Sequence, residues 1–99
     1  MHSISSPHDR RFKRHDAVLR QDVSGAVVLF NMDSGLYYSL NDVGTRIWDL
    51  CDSTRSVADI VAVVAAEYGE AEAMVHDDVV DLFAELADER LLLEVAPAR

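Results

Sequence analysis

The apolar pattern of the chain changes period once. From Ala17 to Leu40 it alternates or runs as short β-branched stretches, and from Asn41 onward it recurs every three or four residues. Ala17 to Val23 is a moderate strand signal, Ser24-Gly25 is turn chemistry, and Ala26-Val27-Val28-Leu29-Phe30 is a strong strand signal, so the first two runs predict a hairpin. Asp33-Ser34-Gly35 supplies a second turn, and Leu36-Tyr37-Tyr38-Ser39-Leu40 follows as a third strand. Within that strand Leu36, Tyr38 and Leu40 share one face, and Tyr37 and Ser39 share the other.

Asn41 is a good N-cap for a first helix whose stripe is Val43, Ile47, Leu50 and Cys51, with Trp48 beside it. Asp52 to Arg55 reads as a loop. Ser56 and Asp59 form a capping pair for a second helix with Val57, Ile60, Val61, Val64 and Tyr68 inward, and Gly69 ends it. The third helix runs from about Glu72 to Arg90 with Val75, Val79, Leu82, Phe83 and Leu86 on its stripe. Leu91 to Val95 is read as either a short terminal strand or packed coil. The expected fold is α+β, in the order β-β-β-α-α-α with an optional last strand.

Composition narrows what such a fold can do. With 99 residues, 49% hydrophobic and 27% charged, the chain fits one domain, placed at residues 16–96 after a basic tail over residues 1–15. Residues 1–20 hold five bases against two acids, a net of +3, whereas residues 21–99 hold four against sixteen, a net of −12. A body so acidic is a poor partner for nucleic acid. The longest apolar run, Ile60 to Ala66, is far shorter than the roughly 20 residues of a spanning helix, and Met1 to Ser6 does not resemble a signal peptide. A single cysteine, Cys51, forms no internal disulfide, which suits the cytoplasm.

No residue set for catalysis stands out. His2, His8 and His15 lie in or near the tail, His76 and Asp77 are helix neighbours that do not face each other, and Cys51 reads as a small core side chain. The four glycines are scattered, and no zinc spacing occurs, so neither a cofactor nor a metal is implied. A binding role has more behind it. A small sheet must leave edges, and an open edge accepts an extended peptide, or a second copy of the chain, as another strand. Tyr37 and Tyr38 would place one aromatic on each face of the third strand, although Tyr38 reads equally well as core and Tyr37 as a surface aromatic.

The stretch Gly35-Leu36-Tyr37-Tyr38-Ser39-Leu40-Asn41-Asp42-Val43-Gly44-Thr45-Arg46-Ile47-Trp48-Asp49-Leu50, followed by Arg55-Ser56-Val57-Ala58-Asp59-Ile60-Val61, resembles the PqqD family, small peptide-recognition domains of pathways that modify ribosomally made peptides. The resemblance covers about Val18 to Val95. It implies a winged-helix-like fold and a non-catalytic role: the leader segment of a precursor peptide adds as a strand to the third strand, in a groove shared with the third helix, and the core segment is presented to a modifying enzyme. On that basis Leu36, Tyr37, Tyr38, Ser39 and Leu40 supply the ladder, and Asp78, Val79, Asp81, Leu82 and Leu86 are candidates for the groove wall. The family's enzymes are commonly radical S-adenosylmethionine enzymes, or a leader protease and a cyclase in lasso-peptide systems. One departure is visible: Arg90 stands where the family commonly has Gly. The competing class is a winged-helix DNA-binding regulator, whose recognition helix would here be acidic.

Overall fold

A computed structural model describes residues 10–95. Six strands and three helices follow one another as β1 (Arg11–Arg14), β2 (Val18–Val23), β3 (Ala26–Asn31), β4 (Leu36–Leu40), α1 (Asp42–Leu50), β5 (Asp52–Ser56), α2 (Val57–Tyr68), α3 (Glu72–Asp88) and β6 (Leu92–Val95). The expected meander is present as the antiparallel sheet β2-β3-β4, paired in register from Val18 opposite Asn31 to Val23 opposite Ala26, and from Asn31 opposite Leu36 to Val27 opposite Leu40. The α+β class holds, but the order differs from the expected one, with an extra strand β1 at the start and β5 between α1 and α2.

A second sheet, β5-β1-β6, was not expected. Arg11–Arg14, assigned above to the tail, is its central strand; residues 1–9 of that tail lie outside the described residues. Its one inward apolar residue is Phe12, 4% exposed and 5.0 Å from the Phe83 ring centroid. One apolar residue in four gives no readable period, yet the neighbours are held too. Arg10 forms a forked pair with Glu94 at 2.8 and 2.7 Å above the Phe12 ring, and Arg14 donates to the Trp48 and Asp49 carbonyls at the end of α1. Asp52 to Arg55, read as a loop, belongs to β5, which is irregular: its register slips against β1, and Ser53 sits at φ 71°. The Asp52 carboxylate ties this stretch together by accepting from Thr54 Oγ1 at 2.7 Å, Thr54 N at 3.0 Å and Arg55 Nη1 at 2.7 Å. Leu92–Val95 is a strand rather than coil.

The helices start as their caps dictate. The Asn41 side chain accepts from the Gly44 amide at 2.8 Å, and a Cβ on Gly44 would stand 3.2 Å from both Asn41 Oδ1 and Leu40 Cδ2, so any larger residue would press on the cap by a few tenths of an ångström. Ser56 and Asp59 form a reciprocal capping box, and α2 ends on Gly69 at φ 67°. The third helix stops two residues earlier than expected. Leu91 N donates to Leu86 O at 2.9 Å and Arg90 N to Ala87 O at 3.0 Å, the paired bonds of a Schellman ending, with Arg90 at φ 59° in the left-handed place that glycine usually takes. One apolar core spans both sheets and all three helices, with Leu29, Ile47, Ile60, Val64, Val79, Leu86, Leu91 and Leu92 fully buried.

The buried polar side chain of Asn31 fastens the meander to α3. Its Oδ1 accepts from Asp33 N at 2.8 Å and Ser34 N at 3.2 Å, and its Nδ2 donates to Glu89 O at 3.3 Å and Arg90 O at 3.2 Å. Asn31→Ala leaves buried backbone groups without partners and is expected to lower stability by about 3 kcal/mol, measured by urea unfolding. A second expectation concerns acid. The Thr54 hydroxyl and amide, helped by Arg55, draw the Asp52 carboxyl down to about 2. A carboxyl lowered by folding stabilises above its ordinary value near 4, and the contribution is lost as pH falls from about 4 towards 2. Asp52→Asn should therefore flatten that part of an acid-unfolding curve followed by circular dichroism.

Candidate functional site

β4 lies at an edge of its sheet, so one side of its backbone has no partner strand. Which groups face out follows from the other end of the sheet. Ser24 at φ 43° and Gly25 at φ 84° make a two-residue turn, which sets Val23 and Ala26 as a hydrogen-bonded pair. Alternation across β3 then makes Leu29 and Tyr38 a hydrogen-bonded pair, and turns the N–H and C=O groups of Tyr37 and Ser39 outward. An added strand would meet those two residues.

The side chains along this edge differ in role. Tyr37 is 71% exposed and its ring lies 4.7 Å from that of Phe30 on the outer face of the sheet. Leu36 is 58% exposed on the opposite face, and Leu40 is buried. Tyr38 is half-buried against the core, as the core reading expected, and its hydroxyl bonds the Glu85 carboxylate of α3. That bond marks the face of α3 that borders β4. Residues three, four and seven positions before Glu85 share it, namely Leu82, Asp81 and Asp78.

The sequence therefore brings together part of the expected wall. Asp78 and Asp81 are exposed, and Leu82 is half-buried. Val79 and Leu86, at 1% and 0% exposure, lie in the core and offer no surface. Glu85 completes the wall and was legible only as one of several acids; its spacing from Asp78, Asp81 and Leu82 is the signal that could have placed it. Among the described residues the Arg–carboxylate pairs lie elsewhere, at Arg10–Glu94, Arg20 with Asp22 and Asp49, Arg46–Glu67 and Arg55–Asp52, so this face of α3 carries its negative charge without a basic neighbour.

Burial pushes the Cys51 thiol up to about 12, so it stays protonated, and its sulfur donates to Ile47 O at 3.2 Å. His76 Nδ1 does touch Asp77, at 3.1 Å, although helix neighbours do not usually meet; the Asp77 side chain is 92% exposed, which leaves the pair open to water. No group of three or more His, Cys, Asp or Glu side chains among the described residues could hold a metal ion, and no described helix is long and apolar enough to cross a membrane. The largest cleft, about 690 Å³, lies between the two sheets near Lys13, Arg14, Trp48 and Asp49. It is wide and open, and Arg14 and Arg20 within it are already bound to Trp48 O, Asp49 and Asp22.

A small α+β domain with an open strand beside an acidic helix has the form of a recognition domain that takes an extended segment. Comparison with known proteins gives it a family. Residues 26–92, more than half of the chain, match the family described as coenzyme PQQ synthesis protein D (PqqD), and the chain belongs to the PqqD family. A PqqA binding protein of Rhodopseudomonas palustris (strain HaA2) is 37% identical over 54 residues, which are 54% of this chain and 53% of that protein, so the match spans about half the relative's length. The structure of TbiB1 in complex with the TbiA(beta) leader peptide superposes with a TM-score of 0.74 at 34% identity, covering 86% of this chain and 99% of that one. Lasso peptide synthetase B1 complexed with the leader peptide shares the fold, with a TM-score of 0.74 at 23% identity over 84% of this chain and 98% of that one.

The contact between Tyr38 and Glu85 joins the two walls. A double-mutant cycle of Tyr38→Phe and Glu85→Gln, read by urea unfolding, should give a coupling of about 1 kcal/mol, the usual scale for one hydrogen bond.

Proposed function

We propose that the chain is a non-catalytic recognition protein that holds the leader segment of a ribosomally made precursor peptide as a strand on β4 and presents the rest of the peptide to a modifying enzyme. The observation that carries this reading is the open edge of β4, with Tyr37 and Ser39 offering their backbone groups, set beside the Asp78, Asp81, Leu82 and Glu85 face of α3. The kinship supports it: TbiB1 is solved with a leader peptide, and the Rhodopseudomonas relative is a PqqA binding protein. Leu36, Tyr37, Tyr38 and Ser39 form the docking strand in this reading. Leu40, Val79 and Leu86 act beneath it by fixing β4 and α3 in the core.

Chemistry sets the kind of peptide. Backbone pairing is indifferent to sequence, so selection falls to the side chains: the exposed Tyr37 and Leu36 suit apolar or aromatic anchors, and the acidic face of α3 suits Lys or Arg. Ordering a flexible leader costs roughly 2–5 kcal/mol, and a short ladder with two or three anchors can still leave about −8 kcal/mol, a micromolar complex that releases its cargo after modification.

The test uses the leader segment of the precursor encoded beside this chain, titrated into ¹⁵N-labelled protein. The Tyr37 and Ser39 amides should shift first. Ser39→Pro removes an outward N–H while leaving the bonds of Tyr38 and Leu40 to β3, and should weaken binding at least about tenfold, the equivalent of one lost hydrogen bond. Tyr37→Ala should keep the fold and weaken binding by a similar factor. A folded Ser39→Pro variant with unchanged affinity would remove the peptide from β4.

A further inference from the structure

β2 bounds the same sheet on its other side, and five of its six residues are exposed. The turn that orients β4 orients this edge too. Val23, Gln21 and Leu19 exchange bonds with Ala26, Val28 and Phe30, so Val18, Arg20 and Asp22 turn their backbone groups outward. The Val18 amide is already taken by His15 O at 3.1 Å, which leaves Arg20 and Asp22 as the residues that present both groups to a partner strand.

We propose that β2 is a self-association edge, on which two copies of the chain pair β2 antiparallel about a two-fold axis at Gln21. Symmetry and the outward groups allow only a few registers. One sets Arg20 against the other copy's Arg20, and another sets Asp22 against the other copy's Asp22; both place like charges directly opposite, which destabilises an antiparallel pair. The third sets Arg20 against the other copy's Asp22, twice by symmetry. The same register brings Leu19, 52% exposed, opposite Val23 of the other copy, 49% exposed, on the outer face of the sheet. Charge and apolar match thus agree on this alignment.

Alternating charge on an edge is also a common guard against pairing. Here the two signs are self-complementary at the spacing a two-fold axis requires. Within one copy Arg20 Nε donates to Asp22 at 2.9 Å and its Nη1 to Asp49, so in the pair its guanidinium lies between Asp49 and the other copy's Asp22. Each copy carries a net charge of −9, and two such bodies repel, which makes the dimer weak and concentration-dependent. The product is a six-stranded sheet with a β4 edge open at each end, roughly 24 Å apart at five strand spacings. The pairing does not depend on what β4 binds.

Sedimentation velocity on the full chain over a concentration series tests this. A dimer should form as concentration rises, and Arg20→Asp and Asp22→Arg should each weaken it at least about tenfold, because each sets like charges across the axis. An equimolar mixture of the two variants should restore association, since every facing pair is then again of opposite sign; circular dichroism checks that both variants fold. A wild-type chain that stays monomeric up to about 1 mM, a dimer that survives both substitutions, or a mixture that remains monomeric overturns the proposal.

Discussion

Asn31 ends β3 with its side chain inside the protein, 2% exposed, where a polar group persists only if its hydrogen bonds are made. Its amide makes them in two directions, to the turn before β4 and to the Glu89 and Arg90 carbonyls just where α3 ends. Those carbonyls belong to the helix end, which otherwise lacks internal partners. One side chain therefore sets how far β4 stands from α3, and the Tyr38–Glu85 bond holds the same spacing further along. These two fastenings hold β4 beside α3.

The basic residues of the first strand lie away from β4. β1 and its basic residues lie in the second sheet, where Arg10 and Arg14 are engaged by Glu94 and by the end of α1. Asp78, Asp81 and Glu85 of α3 share the face that borders β4. A chain whose net charge is −9 is thus locally organised into a neutralised base and an acidic wall. Such a wall would repel duplex DNA, and it is suited to a segment of opposite charge.

The meander and the helices were readable because each obeys one local rule. Val27 and Leu29 are buried while Val28 and Phe30 between and after them are half-buried, and Ser56 with Asp59 caps α2 through its own side chains. The second sheet was not readable, since β1 shows a single inward residue, Phe12, and β5 is polar along its length; both are strands only because distant segments pair with them. The same limit applied to the site. Helical period ranks Val79 and Leu86 with Leu82 as apolar, but it cannot say which of them faces β4. Tyr38 reaches across to Glu85 over 47 positions of sequence, and only the folded chain makes that visible.

Arg90 holds a left-handed backbone that an L residue adopts at a cost, and it does so with its amide bonded to Ala87 O, its carbonyl held by Asn31 and the Leu91–Leu86 bond closed around it. A helix end locked in this way does not lengthen or unravel to suit a guest. If β4 takes a strand as proposed, the backbone beside it is already set, and most of the disorder lost on binding is the guest's own.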